Sequence, residues 1–236
     1  TSDIHISRSM MITLVLSTIS LMIPMSLLTQ KGYHSLWVRP ILLIAIFFIV
    51  NFIITNRQAT HPIVHFHTLF SKKPFVGATM AISSHLTLLT GIAGINVYIV
   101  RILKLPFDIS LHFYFFFFVG VIITGILKMF FYSSVGAGFL GTLGSSALLY
   151  VSIHWIILGN TINIPLLYIQ GLLLGFGASM TLVSGSMATL LDGDLKEAAQ
   201  RSQTMHTIRN FSAAMLIPII AYTIKNHIQK GTQSIY

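Results

Sequence analysis

The hydrophobic positions of this chain come in blocks, not in stripes. Seven runs are apolar on every side and are separated by short polar stretches, at 10–29, 36–55, 75–100, 111–131, 138–158, 162–191 and 203–224. A run of about 20 apolar residues, wound as a helix, spans a hydrocarbon core of about 30 Å. A segment that is hydrophobic all round has no water-facing side. The pattern therefore predicts an all-α integral membrane protein with seven transmembrane helices. Pro24 and Pro218 fall inside runs, where membrane helices tolerate a kink. Pro74 suits the first turn of the third helix, and Trp37 suits an interfacial anchor. The sixth run is longer than a perpendicular crossing requires, which predicts tilt.

Composition agrees with the blocks. The 236 residues are 54% hydrophobic and only 8% charged, with mean hydropathy +0.83. Soluble domains carry about 25% charged residues, so this chain cannot clothe a water-facing surface of its size. There is no cysteine, which excludes disulfides and thiolate metal sites. The formal net charge is +9. Its lysines and arginines stand singly in short connections, a placement that suits anionic lipid headgroups, and no nucleic-acid motif accompanies them. The first run is too long for the apolar part of a signal peptide. With Thr1 where a methionine would start translation, a processed or incomplete chain is expected. Seven crossings put the termini on opposite faces, and the six that precede the loop 192–201 put that loop on the face of the N-terminus. The loop charges are nearly balanced, with a slight preference for a cytoplasmic N-terminus.

Several local patterns invite chemistry. Gly136-Ala137-Gly138-Phe139-Leu140-Gly141 has the spacing of a dinucleotide fingerprint, but no strand precedes it and the nearest acid downstream is Asp192. The fingerprint needs both, with the acid about 20 residues on. Gly138, Gly141 and Gly144 read instead as a small-residue face that lets membrane helices approach closely. Gly171, Gly175 and Gly177 form a second such face on the sixth run. His61, His65 and His67 are close in sequence but match no metal-ligand spacing. With Ile63, Val64, Phe66, Leu69 and Phe70 they predict an amphipathic juxtamembrane linker over 59–74.

Polar residues inside the runs carry more information, because burying them in hydrocarbon is costly and they tend to mark pathways. They are His85, Asn96, His154, Gln170, His206, Arg209 and Asn210, and no Asp or Glu lies inside any run. A proton relay within these runs would have to use histidine. Arg209 shares a helix face with His206 and Ala213. It either lines a polar cavity or snorkels to the headgroups. Its counter-charge is then a partner segment, a substrate, a lipid or the loop 192–197.

The order of these pieces resembles the C-terminal part of the fourteen-helix drug:proton antiporters of the major facilitator superfamily. The stretch 56–70, followed by Ser71-Lys72-Lys73-Pro74-Phe75, looks like the family's connection into its second bundle. Ile169-Gln170-Gly171 with Gly175 and Gly177 looks like its glycine-bearing helix, and 198–210 like the arginine-bearing helix that follows. The resemblance implies two extra transmembrane helices at 1–58, the linker at 59–74 and a partial five-helix bundle at 75–236. It implies a secondary active transporter segment for proton-coupled efflux of drugs or small molecules by alternating access, in a bacterial inner membrane. The expected partners are the lipid bilayer, a small-molecule substrate, protons and an N-terminal transporter half. No cofactor, metal or catalytic residue is expected, and no enzyme activity. The family's first six helices, its last helix and its coupling carboxylates have no counterpart here. Lys128, near the end of the fourth run, has no acidic neighbour. The alternatives are a non-transporting membrane remnant or scaffold, and a metal-dependent intramembrane enzyme built on the ten histidines, which their spacing does not support.

Overall fold

A computed structural model of the chain describes residues 8–157, 162–191 and 193–233, with side chains to His227. Leu158 and Asp192, each part of an expected element, lie outside the described residues, as does the stretch 1–7. Among the described residues there is no strand, and six helices are long and apolar enough to cross a membrane. They are α1 (Arg8–Lys31), α2 (Arg39–Gln58), α3 (Lys72–Asn96), α4 (Phe107–Ile157), α5 (Ile164–Leu191) and α6 (Ala198–Gln233). Large apolar side chains such as Phe47, Phe115, Phe118 and Ile122 stay exposed on their outer faces. That surface fits an integral membrane protein, whose outside meets lipid.

The ends of the helices depart from the hydrophobic blocks for local reasons. Helix α2 starts at Arg39, with proline in its first turn, so Leu36 and Trp37 fall outside it and are exposed. The third block ends in a π-helical stretch, Val97–Ile102. Helix α6 starts ahead of position 203. Asp194 accepts a hydrogen bond from the Lys196 amide at 2.9 Å and opens a 3₁₀ turn, Leu195–Glu197, that runs directly into the helix. The linker is not one amphipathic element. The Asn56 side chain donates to the Val64 carbonyl at 2.7 Å and accepts from the amides of Ile63 and Val64, both at 3.0 Å. A 3₁₀ turn, Phe66–Leu69, follows. Val64 and Leu69 are buried while Phe70 is exposed, so the expected apolar side is split.

The fourth and fifth blocks both fall on α4, which has 51 residues. A straight helix of that length would be about 76 Å long, more than twice the hydrocarbon thickness. It is not straight. Gly136 has φ 76 and ψ 170, a backbone state open in practice only to glycine, and the chain turns back there. Phe113, Phe117 and Gly120 meet Gly171, Gly175 and Phe176 of α5 in ascending order. Leu148, Gly144 and Gly141 meet Gly177, Thr181 and Ser184 in descending order. The limb 107–135 therefore runs parallel to α5 and the limb 137–157 antiparallel to it.

The chain divides into two compact units, Phe66–Arg209 and, separately, Thr1–His65 with Asn210–Tyr236. In the second of these, α1 and α2 pack through Leu21, Met25, Leu28, Val38 and Ala45, joined by Phe211 and Tyr222. Lys225 Nζ donates to the Thr29 carbonyl at 2.6 Å. In the unit Phe66–Arg209, α5 is central. Ile95, Ile99, Phe113, Phe117, Leu148, Leu167 and Leu174 form its main core.

Candidate functional site

Glycine sets the spacing around α5. At Gly171, Gly175 and Gly120, a Cβ would run into backbone of the partner helix, and at Gly144 and Gly177 into backbone and side chains together. Gly77 of α3 meets Gly185 and Thr189 in the same way. Hydroxyls tie the seams. Ser84 Oγ donates to the Ala178 carbonyl at 2.8 Å, and Ser179 Oγ to Thr124 Oγ1 at 2.7 Å. One glycine departs from the expected packing face. Gly138 meets nothing within 4 Å and is exposed. It lies two residues past the reversal at Gly136, where the limbs have not yet closed onto α5.

Toward the end of the bundle away from Gly136, α3, the limb 137–157 and α5 enclose a cleft of about 390 Å³. Thr87, Thr90, Tyr98, Ser152 and Trp155 give it polar atoms, while Ile95, Leu167 and Leu174 give it apolar wall. Behind Trp155 lies a polar triad centred on the buried Gln170. Trp155 Nε1 donates to Gln170 Oε1 at 2.8 Å, and Gln170 Nε2 lies 2.8 Å from His154 Nδ1. Indole N–H is only a donor, so Oε1 must accept and Nε2 must donate. His154 Nδ1 is therefore the acceptor, and the proton of the neutral ring sits on Nε2. At the same end, Tyr114 OH donates to Asn96 Oδ1 at 2.6 Å. Gln170, His154 and Asn96, three of the polar residues singled out in the sequence, are thus gathered at one end and held by aromatic partners.

His85, His206 and Arg209 form a separate group. Met205 and Ile208 of α6 pack with Ala78 and Ala81 of α3. One turn further along each helix come Arg209 and His85, with His206 one turn before Arg209 on α6. His85 and the cleft residue Thr87 are two positions apart on α3, about 200° around the helix, so the two groups use opposite faces. The Arg209 Nε is buried and has no hydrogen-bond partner. The described carboxylates of the loop do not supply one. Asp194 is exposed at the start of its 3₁₀ turn, and Glu197 lies 3.8 Å from Arg201. Asn210, the next residue of α6, is exposed.

Sequence reasoning passed over three residues. Arg201 is 2% exposed. It donates through Nε to the Thr189 carbonyl at 3.1 Å and through Nη2 to the carbonyls of Leu190 and Asp194 at 2.9 and 3.0 Å. It thereby satisfies the orphan carbonyls at the end of α5 and opposes the negative end of that helix. Its position in a charged loop suggested a solvated side chain. Trp155 and Tyr114 were masked by their apolar blocks. An aromatic with a polar tip at helical spacing from a histidine or asparagine was the available signal. No protein-family model matches this chain, and no curated protein matches it.

Proposed function

We propose that this chain is a segment of a secondary membrane transporter of the major facilitator type, moving a small molecule by alternating access. The reversal at Gly136 splits α4 into two limbs, each long enough to cross once, which makes seven crossings in all. The observation that carries the function is the cleft among α3, α4 and α5, with the Trp155–Gln170–His154 triad at its wall. Within hydrocarbon such polar groups are costly unless they serve a pathway or a tight contact. Here they stand beside open volume, which favours the pathway. The glycine seams support the same conclusion, because helices in backbone contact move as a rigid body, and rocking of one bundle against another is how transporters with repeated bundles work. Protons are the coupling ion by resemblance. With no carboxylate inside the apolar runs, His154 is the residue next to the cleft able to carry one, and it does so by releasing the hydrogen bond from Gln170.

Reconstitution into proteoliposomes, alone and with a six-helix N-terminal half supplied, tests this. Counterflow of a labelled small-molecule substrate is expected in the assembled form. Trp155→Leu and Gln170→Leu should each reduce it at least about tenfold, the worth of one or two buried hydrogen bonds. Undiminished counterflow in both variants, or none in any assembly, points to a membrane scaffold.

A further inference from the structure

Arg209 holds a cationic guanidinium inside the bundle with its Nε buried and unpaired. Around it are His206, one turn earlier on α6, and His85 on the facing rung of α3. None of these three side chains makes an ion pair with a described carboxylate: Asp108 stands against His112, Glu197 against Arg201, and Asp194 accepts from the Lys196 amide. A buried donor left without a partner costs about 1–3 kcal/mol, more when charged. A buried cationic donor left open, with two imidazoles on the neighbouring helix turns, is half of a binding site. We infer that Arg209, His206 and His85 form a receptor for the oxyanion of a small amphipathic molecule, such as a carboxylate. This rests on the transporter reading and adds to it an anion site on the face of α3 opposite the cleft.

The planar guanidinium fork matches a carboxylate or phosphate through paired N–H donors, and a neutral imidazole adds one N–H from each side. Depth separates the possible sources of that oxyanion. Arg209 lies about 9 Å into the apolar run that begins at 203, and His85 about 15 Å into the run that begins at 75. Both positions are inside a core about 30 Å thick, below the level of lipid phosphates. Ala81, Met205 and Ile208 supply an apolar rim beside the cations, which suits a ligand with a hydrocarbon body and one charged end.

The test is direct binding to the purified full chain in a neutral detergent, with decanoate as probe, read by thermal shift and by competition of a fluorescent fatty-acid analogue. Decanoate should bind and decanol should not. Arg209→Gln should weaken decanoate about 10- to 100-fold, the worth of a hydrogen bond to a charged group. Arg209→Lys should fall between, since it keeps the charge and loses the fork. His206→Gln should weaken binding several-fold. Equal binding of decanol, or unchanged affinity in both Arg209→Lys and His206→Gln, overturns the inference. So does displacement of decanoate by phosphatidylglycerol in nanodiscs but not by soluble carboxylates, because the oxyanion would then be lipid. Binding is read without transport. Loss of transport therefore leaves a positive binding result standing, and absent binding leaves the transporter proposal to its own test.

Discussion

At the scale of single residues, side chains with one polar function each fix the interior. Gln170 spends both ends of its amide, one on Trp155 and one on His154. Replacing it with leucine keeps the volume and strands an indole N–H and an imidazole nitrogen. Gln170→Leu is therefore expected to destabilise the bundle by about 2–4 kcal/mol, visible as earlier aggregation in a detergent melt. Gln170→Glu keeps an acceptor for Trp155 and should lose less. Arg201 offers a second check. It holds three carbonyls around the end of α5, of which only that of Asp194 has a second donor, the Glu197 amide. Arg201→Ala should cost more than about 2 kcal/mol, because buried carbonyls lose charged donors. Arg201→Lys should recover only part, having one point charge where the guanidinium presents a fork. A melt for Arg201→Ala equal to wild type would make the buried guanidinium incidental.

At the scale of elements, α4 and α5 explain each other. The reversal in α4 depends on Gly136, whose Cβ position is open space. A substitution there meets no neighbour and is penalised by conformation alone. Gly136→Val should cost about 1–3 kcal/mol from the strained backbone, with a larger loss of correctly inserted protein, while Gly138→Ala two residues on should be silent. Equal yields of the two variants would mean that the turn does not need its left-handed residue. The seams on α5 behave oppositely, because there space decides. Gly175→Leu would drive a side chain into the Phe117 backbone and should separate the limb 107–135 from α5. Crosslinking of paired cysteines placed at 124 and 179, whose hydroxyls now touch, would read that separation directly.

At the scale of the whole molecule, the reversal sets topology within the unit Phe66–Arg209. The turn at Gly136, the start of α3 and the end of α5 lie at one end, and the π-helical stretch and the start of α5 at the other. The chain has no cysteine, so single cysteines report sidedness without background. Ser134→Cys and Leu195→Cys should react with an impermeant maleimide from the same side of oriented vesicles, and Lys104→Cys only from the opposite side. Labelling of positions 104 and 134 from one side would make α4 something other than two crossings.

The hydrophobic blocks alone decided that the chain is helical and suited to a bilayer, because a 20-residue apolar run has few other ways to satisfy its backbone in lipid. They also exposed the polar exceptions, since glutamine, histidine and arginine stand out against leucine and phenylalanine. The separation of the fourth and fifth blocks was legible for the same reason, although helix runs through it on both sides of a single residue. Sequence did not reveal which polar residues would meet. Gln170 and His154 are 16 positions apart, and only the antiparallel pairing of 137–157 with α5 brings them together. Nor did it reveal that Asn210 would be exposed while Arg209 Nε is buried, or that Gly138 would face open space while Gly141 and Gly144 close a seam. Those outcomes depend on the rotation of each helix about its own axis. In a chain that is apolar all round, no hydrophobic stripe specifies that rotation. The glycines do, by allowing one face of each helix to come closest, and their effect becomes visible only when the partner backbone is in place.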